Sequence, residues 1–110
     1  MNLYLLRHAK SSWESYEDDH ERDLSDRGRK DACTLGEYLC KNNINFENTL
    51  CSSSHRTRET ISIINTVSPH SFHEINYLDS LYHASSNKIK GIIQNHDNKS
   101  LLIVGHNPGI

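Results

Sequence analysis

Short apolar runs alternate along this chain with segments of helical periodicity, and that alternation restricts the possible folds more than any other feature. Residues 3–6 (LYLL) are too few for a helix and stop at a charged pair, so they read as a buried strand. Ser25 caps a helix that continues through Leu35 and Leu39, with Ala32 and Gly36 on a similar face, until Asn42-Asn43 ends it. Residues 49–52 form the next strand. A second helix covers residues 54–67, where Ile61, Ile64 and Val67 recur at helical spacing until Pro69 stops it. A weaker strand lies near residues 73–77. Ser85 or Ser86 starts a third helix with Ile89, Ile92, Ile93 and His96 on one face, and residues 101–104 are a continuous apolar run closed by Gly105. The order predicts an α/β fold of three αβα layers, a mostly parallel central sheet covered on both faces.

A length of 110 residues leaves room for one core, and no repeat, low-complexity tract or linker divides it, so residues 1–110 read as a single domain. Twelve Lys and Arg against 14 Asp and Glu argue against nucleic-acid or acidic-membrane partners, although a local basic pocket remains compatible with that mean. The N-terminal apolar run stops at Arg7, too short for a signal peptide or a membrane span. Cys33, Cys40 and Cys51 are an odd set without a CxxC pair; they read as reduced thiols in a cytoplasmic protein. His70 and His73 are close, but no HxxxH, HExxH or Cys/His cluster appears, so no metal is expected.

In parallel sheets ligands sit outside the carboxyl ends of the strands. There the sequence places Arg7 and His8, then the stretch from Ser52 to Arg56, then Gly105, His106 and Asn107-Pro108-Gly109. Two guanidiniums with two imidazoles suit a tetrahedral dianion, since Arg offers a rigid fork of donors and His can donate or attack. A phosphoryl group fits: its transferring charge is met by fixed cationic donors, and a neutral imidazole can attack phosphorus to give a phosphohistidine that water hydrolyses.

Four segments then match in order. LRHAKSSW at residues 6–13 resembles the RHG-type signature of the histidine phosphatase, or phosphoglycerate mutase-like, superfamily, and its RHAKSSW form resembles the SixA-type phosphohistidine phosphatases in particular. Arg22-Asp23-Leu24-Ser25 through Gly28 resembles the RPLTxxG stretch, residues 52–60 the SPxxRAxxT stretch, and residues 105–109 the GHNPG stretch. By position, the resemblance implies His8 as the nucleophile, Arg7 and Arg56 as phosphoryl clamps, His106 as a further ligand of the same oxygens, and Arg22 as another pocket arginine. The departures are Ala9 for glycine, Asp23 and Ser53 for prolines and Thr57 for alanine, each a loop or neighbour position rather than a pocket donor.

The resemblance thus implies a metal-independent phosphatase without cofactor, acting on a phosphohistidine-bearing partner protein. A small-molecule phosphomonoesterase of the same superfamily and a phosphate-binding or interaction module without turnover are the alternatives. An imidazole leaving group of unperturbed pKa about 6.5 needs little proton assistance, so the acidic residues Glu14, Glu17, Asp18, Asp19, Glu21 and Asp23 read as a solvated loop. His55, Arg58 and His83 read as neighbours of the pocket or surface residues, with His83 the foremost candidate among them to join it; His20, His70, His73 and His96 carry no role. The chain stops just after GHNPG, where relatives continue, so the expectation is a C-terminally truncated domain whose last strand is left uncovered.

Overall fold

The computed structural model describes residues 2–9, 22–95 and 100–106. The elements in chain order are β1 (Asn2–Arg7), α1 (Asp26–Lys41), β2 (Asn48–Ser52), α2 (His55–Val67), β3 (Ile75–Leu78), α3 (Ser86–Gln94) and β4 (Ser100–Gly105). Short 3-10 turns at Pro69–Ser71 and Asp79–Leu81 flank β3. Each α-helix starts on a serine whose hydroxyl accepts a backbone N–H of the first turn: Ser25 from Gly28, Ser54 from Thr57 and Ser85 from Lys88. Asn43, just past α1, takes a φ of 53°, a left-handed conformation that asparagine tolerates after a helix.

The sheet has the order β1-β4-β2-β3 with all pairs parallel. Successive residues of β4 feed opposite layers. Leu102 and Val104 join Cys51, Phe46 and the inner faces of α1 (Ala32, Leu39) and α2 (Ile61, Ile64). Leu101 and Ile103 join Leu50, Leu81, Ala84 and Ile89 of α3. A strand sandwiched this way must be apolar on both sides, which is why residues 101–104 carry no polar alternation. The three αβα layers and the parallel sheet expected from the sequence are present.

Strand order corrects two expectations. The last strand is not the uncovered one: β4 lies between β1 and β2, and its residues 101–105 are buried. The first strand is not buried. It is an edge that pairs with β4 alone among the described strands, and Leu3, Tyr4 and Leu5 are 40%, 40% and 51% exposed. Leu6 packs against the α1–α2 core and Tyr4 meets Phe46 edge-on, so that face of β1 is partly covered. His96 and the segments 10–21 and 107–110 lie outside the described residues, and with them the KSSW motif, His20, the acidic residues 14–21 and Asn107-Pro108-Gly109.

Helices α1 and α2 approach closely at Gly36, where an added Cβ would lie 2.8 Å from the Cβ of Val67 and 3.4 Å from the Cα of Ile64. In α3, Gly91 has nothing within 4 Å of the same position. Alanine is favoured over glycine within a helix by about 1 kcal/mol, whereas overpacking costs about 1–3 kcal/mol. Urea melts should therefore show Gly91→Ala stabilising the protein and Gly36→Ala destabilising it; equal effects would contradict the close crossing.

Candidate active site

Register brings the predicted residues together. Arg7 pairs with Gly105, and the next residue, His8, donates its backbone N–H to the Gly105 carbonyl at 3.1 Å. His8 and His106 thus leave the carboxyl ends of adjacent strands, with ring centroids 5.2 Å apart. The central β2 ends at Ser52, and α2 starts three residues later. Helical side chains lean toward the N-terminus, so Arg56 in the first turn of α2 reaches back over the ends of the strands.

Arg56 is 1% exposed, and its guanidinium contacts three imidazoles. Its Nε donates to His8 Nε2 at 3.3 Å, and its Nη2 lies 3.2 Å from His106 Nδ1 and 3.4 Å from His83 Nε2. Guanidinium nitrogens only donate, so each of these ring nitrogens carries a lone pair. The opposite nitrogens are accounted for in two rings. His8 Nδ1 lies 2.6 Å from the Ala9 carbonyl and must bear the proton, leaving Nε2 as the unprotonated, pocket-facing atom. His106 Nε2 lies 2.8 Å from Ser52 Oγ and donates to it.

Burial pushes the pKa of His8 down from its ordinary value near 6.5, and the charges of Arg56, Arg7 and Arg22 push it further the same way, against the hydrogen bond to Ala9. The His8 imidazole is therefore neutral at neutral pH. Arg7 stands at the exposed end of β1, and Arg22 is buried.

The segment carrying Arg22 is stapled to α2. Leu24 donates its backbone N–H to Glu59 Oε1 at 2.9 Å, Arg29 Nε donates to Glu59 Oε2 at 2.9 Å, and His55 Nε2 lies 2.7 Å from Asp23 Oδ1. Asp23, His55 and Glu59 thereby form a three-residue set with metal-ligand atoms within 4.8 Å of one another, a juxtaposition the sequence spacing did not reveal. Their protein hydrogen bonds account for the arrangement. Asp23 thus braces this segment, whereas the sequence read it as part of a solvated loop. Arg58 turns to the Tyr77 ring at 5.6 Å, and His55 faces Asp23.

Several contributors went unassigned in the sequence. Thr60 accepts the Ala9 N–H at 3.1 Å and donates to the Arg56 carbonyl at 2.8 Å, fixing the backbone after His8. Thr57 is buried, and its hydroxyl lies 2.7 Å from both the Ser52 carbonyl and Ser54 Oγ, bracing the turn that holds His106. Tyr82 places its ring 5.8 Å from the Arg56 guanidinium, and His83 stacks on His106 at 5.2 Å and 15°. The i, i+4 spacing of Arg56 and Thr60 on one helix and the position of Tyr82-His83 shortly after β3 were the available signals.

The model for the histidine phosphatase superfamily (branch 1) matches residues 3–81, and the chain belongs to this family. A protein from Mycobacterium tuberculosis of uncharacterised function is 34% identical over 105 residues, covering 94% of this chain and 63% of its own length. The chain therefore spans under two thirds of that relative. Among solved structures, a candidate phosphohistidine phosphatase SixA from Agrobacterium tumefaciens superposes with a TM-score of 0.89 at 28% identity, over 97% of this chain and 70% of that one. A like-named protein from Nakamurella multipartitia gives 0.83 at 30% identity, over 98% and 60%. Among the described residues, no helix is long and apolar enough to cross a membrane.

The depressed pKa of His8 has a measurable sign. In an NMR titration its midpoint should fall below that of the same histidine in the urea-unfolded chain, about 6.5. The folded protein then binds this proton less tightly than the unfolded one, so the residue's contribution lowers stability as pH drops below that value. A midpoint above 6.5 would contradict the geometry described.

Proposed function

We propose that the protein is a phosphohistidine phosphatase that removes the phosphoryl group from a histidine of a partner protein through a covalent phospho-His8 intermediate. The observation that carries this reading is the buried Arg56 guanidinium at the unprotonated Nε2 of His8, a cation beside a neutral nucleophile. The similarity to proteins named as SixA phosphatases supports the substrate class.

In this reading the phosphoryl dianion lies against Arg7, Arg22 and Arg56, whose donors face its oxygens. His106, protonated in response to the dianion, adds a donor through Nδ1 while Ser52 keeps the ring in place. The lone pair of His8 Nε2 attacks phosphorus, and the bond to the substrate nitrogen breaks with its electron pair on the departing imidazole. Water then attacks phospho-His8 and returns the pair to Nε2. Charge stabilisation comes from guanidiniums and imidazoles fixed before the reaction, which is the most effective form such stabilisation takes. The reading assigns no metal or cofactor to the reaction. It treats residues 1–110 as one histidine phosphatase domain and locates it in the cytoplasm, where the free Cys33, Cys40 and Cys51 would stay reduced.

A rapid-quench experiment with a phosphohistidine-bearing donor tests it. Acid-labile phosphate should appear on His8 within a turnover, His8→Ala should abolish both label and release, and EDTA should leave the rate unchanged. Turnover without label on His8, or full activity in His8→Ala, would refute the covalent route. Faster turnover of p-nitrophenyl phosphate than of phosphohistidine would point to the small-molecule phosphomonoesterase instead.

A further inference from the structure

The loop after β3 presents an imidazole to the pocket. We infer that His83 is the general base that activates water for hydrolysis of phospho-His8, an assignment that rests on the covalent phosphatase reading above.

Three observations converge on His83. Its Nε2 lies 3.4 Å from Arg56 Nη2, a nitrogen of the guanidinium whose Nε faces His8 Nε2. Because the guanidinium can only donate, His83 Nε2 meets it with its lone pair, on the pocket side of the ring. Its ring stacks on His106 at 15° and meets Tyr82 edge-on at 4.3 Å, so its orientation is fixed from two sides. Its backbone takes a φ of 54°, in the left-handed region that few residues without a glycine's freedom adopt, and such conformations gather at functional positions.

The other two imidazoles are excluded by their own roles. His8 Nε2 is occupied by phosphorus in the intermediate. His106 is 3% exposed, pinned through Nε2 to Ser52, and in the dianion complex donates through Nδ1. His83 is exposed to solvent, so it can take a proton from an entering water and pass it on. When Arg56 turns its Nη2 hydrogens to the phosphoryl oxygens, the His83 lone pair faces the water instead. The water oxygen bonds to phosphorus, one water proton moves to His83 Nε2, and the P–N bond breaks with its electron pair returning to His8 Nε2. In the next cycle the His83 imidazolium returns that proton to the departing substrate imidazole. Across the two steps phosphohistidine and water become histidine and phosphate.

The left-handed backbone suggests the variants. Glycine adopts φ near 54° freely and leaves a hole the size of the ring, while asparagine tolerates the same conformation and keeps a polar side chain without a base. In rapid-quench runs with a phosphohistidine donor, phospho-His8 should live at least about 100-fold longer in His83→Gly and His83→Asn, the usual size of a lost general base. Added imidazole at constant pH should restore phosphate release in the glycine variant more than in the asparagine variant. An unchanged lifetime, or slow release that imidazole does not relieve, would overturn the assignment and leave His83 a packing residue. Variants that neither label His8 nor turn over would also overturn it, since His83 would then be needed to build the pocket. Failure of the wild type to label His8 during turnover would instead sink the covalent reading, and this inference with it.

Discussion

The structure turns on the Arg56 guanidinium. Burying a cation is costly unless its donors are satisfied, and guanidinium, unlike an ammonium, does not escape that cost by losing its proton. Here the donors meet imidazole nitrogens from three separate parts of the chain: the end of β1, the end of β4 and the loop beyond β3. Imidazoles are neutral partners, so the positive charge is oriented without being cancelled. A carboxylate in the same place would satisfy the donors and remove the attraction for an anion. The parallel register of β1 and β4, the serine cap of α2 and the hydroxyls of Ser52, Ser54 and Thr57 all serve to hold that arrangement.

The same charges act on the protonation of His8. Arg56, Arg7 and Arg22 disfavour protonation of His8, and burial disfavours it more strongly still. A group that would be half-protonated near pH 6.5 in water is thus kept neutral by burial and by the neighbouring cations, the form that the proposed attack on phosphorus needs. In the proposed reaction, binding and nucleophilicity are therefore coupled through one set of residues. The contrast with the whole chain, whose formal charge is −2, shows that the mean charge describes the surface and not the pocket.

Much of this was legible in the sequence, because the helices announce themselves by serine caps and helical spacing and the strands by short apolar runs. Arg7, His8, Arg56 and His106 were legible because each lies at or shortly after a strand end, where parallel sheets place their ligands. Strand order was not legible. Nothing local in residues 3–6 or 101–104 says which is the edge, since both are short apolar runs; only the pairing of β4 between β1 and β2 separates them. Thr57 looked like a harmless departure from alanine, yet its hydroxyl braces the Ser52–Ser54 turn. The cluster of Asp23, His55 and Glu59 was hidden because Asp23 is distant in sequence from the other two and meets them only when residues 22–24 dock on α2. His83 escaped assignment for a related reason. Its ring direction depends on a left-handed backbone that a single histidine in a loop does not signal.

The central claim is that the attacking atom of this site is His8 Nε2, since Nδ1 is committed to the Ala9 carbonyl and Nε2 faces Arg56. Phosphorus NMR of the protein trapped during turnover of a phosphohistidine donor reads that atom directly, because the two phosphohistidine isomers have distinct shifts. The account predicts a single protein-bound signal of the Nε2 isomer, lost in His8→Ala. A signal of the Nδ1 isomer, or one that survives the substitution, would contradict it.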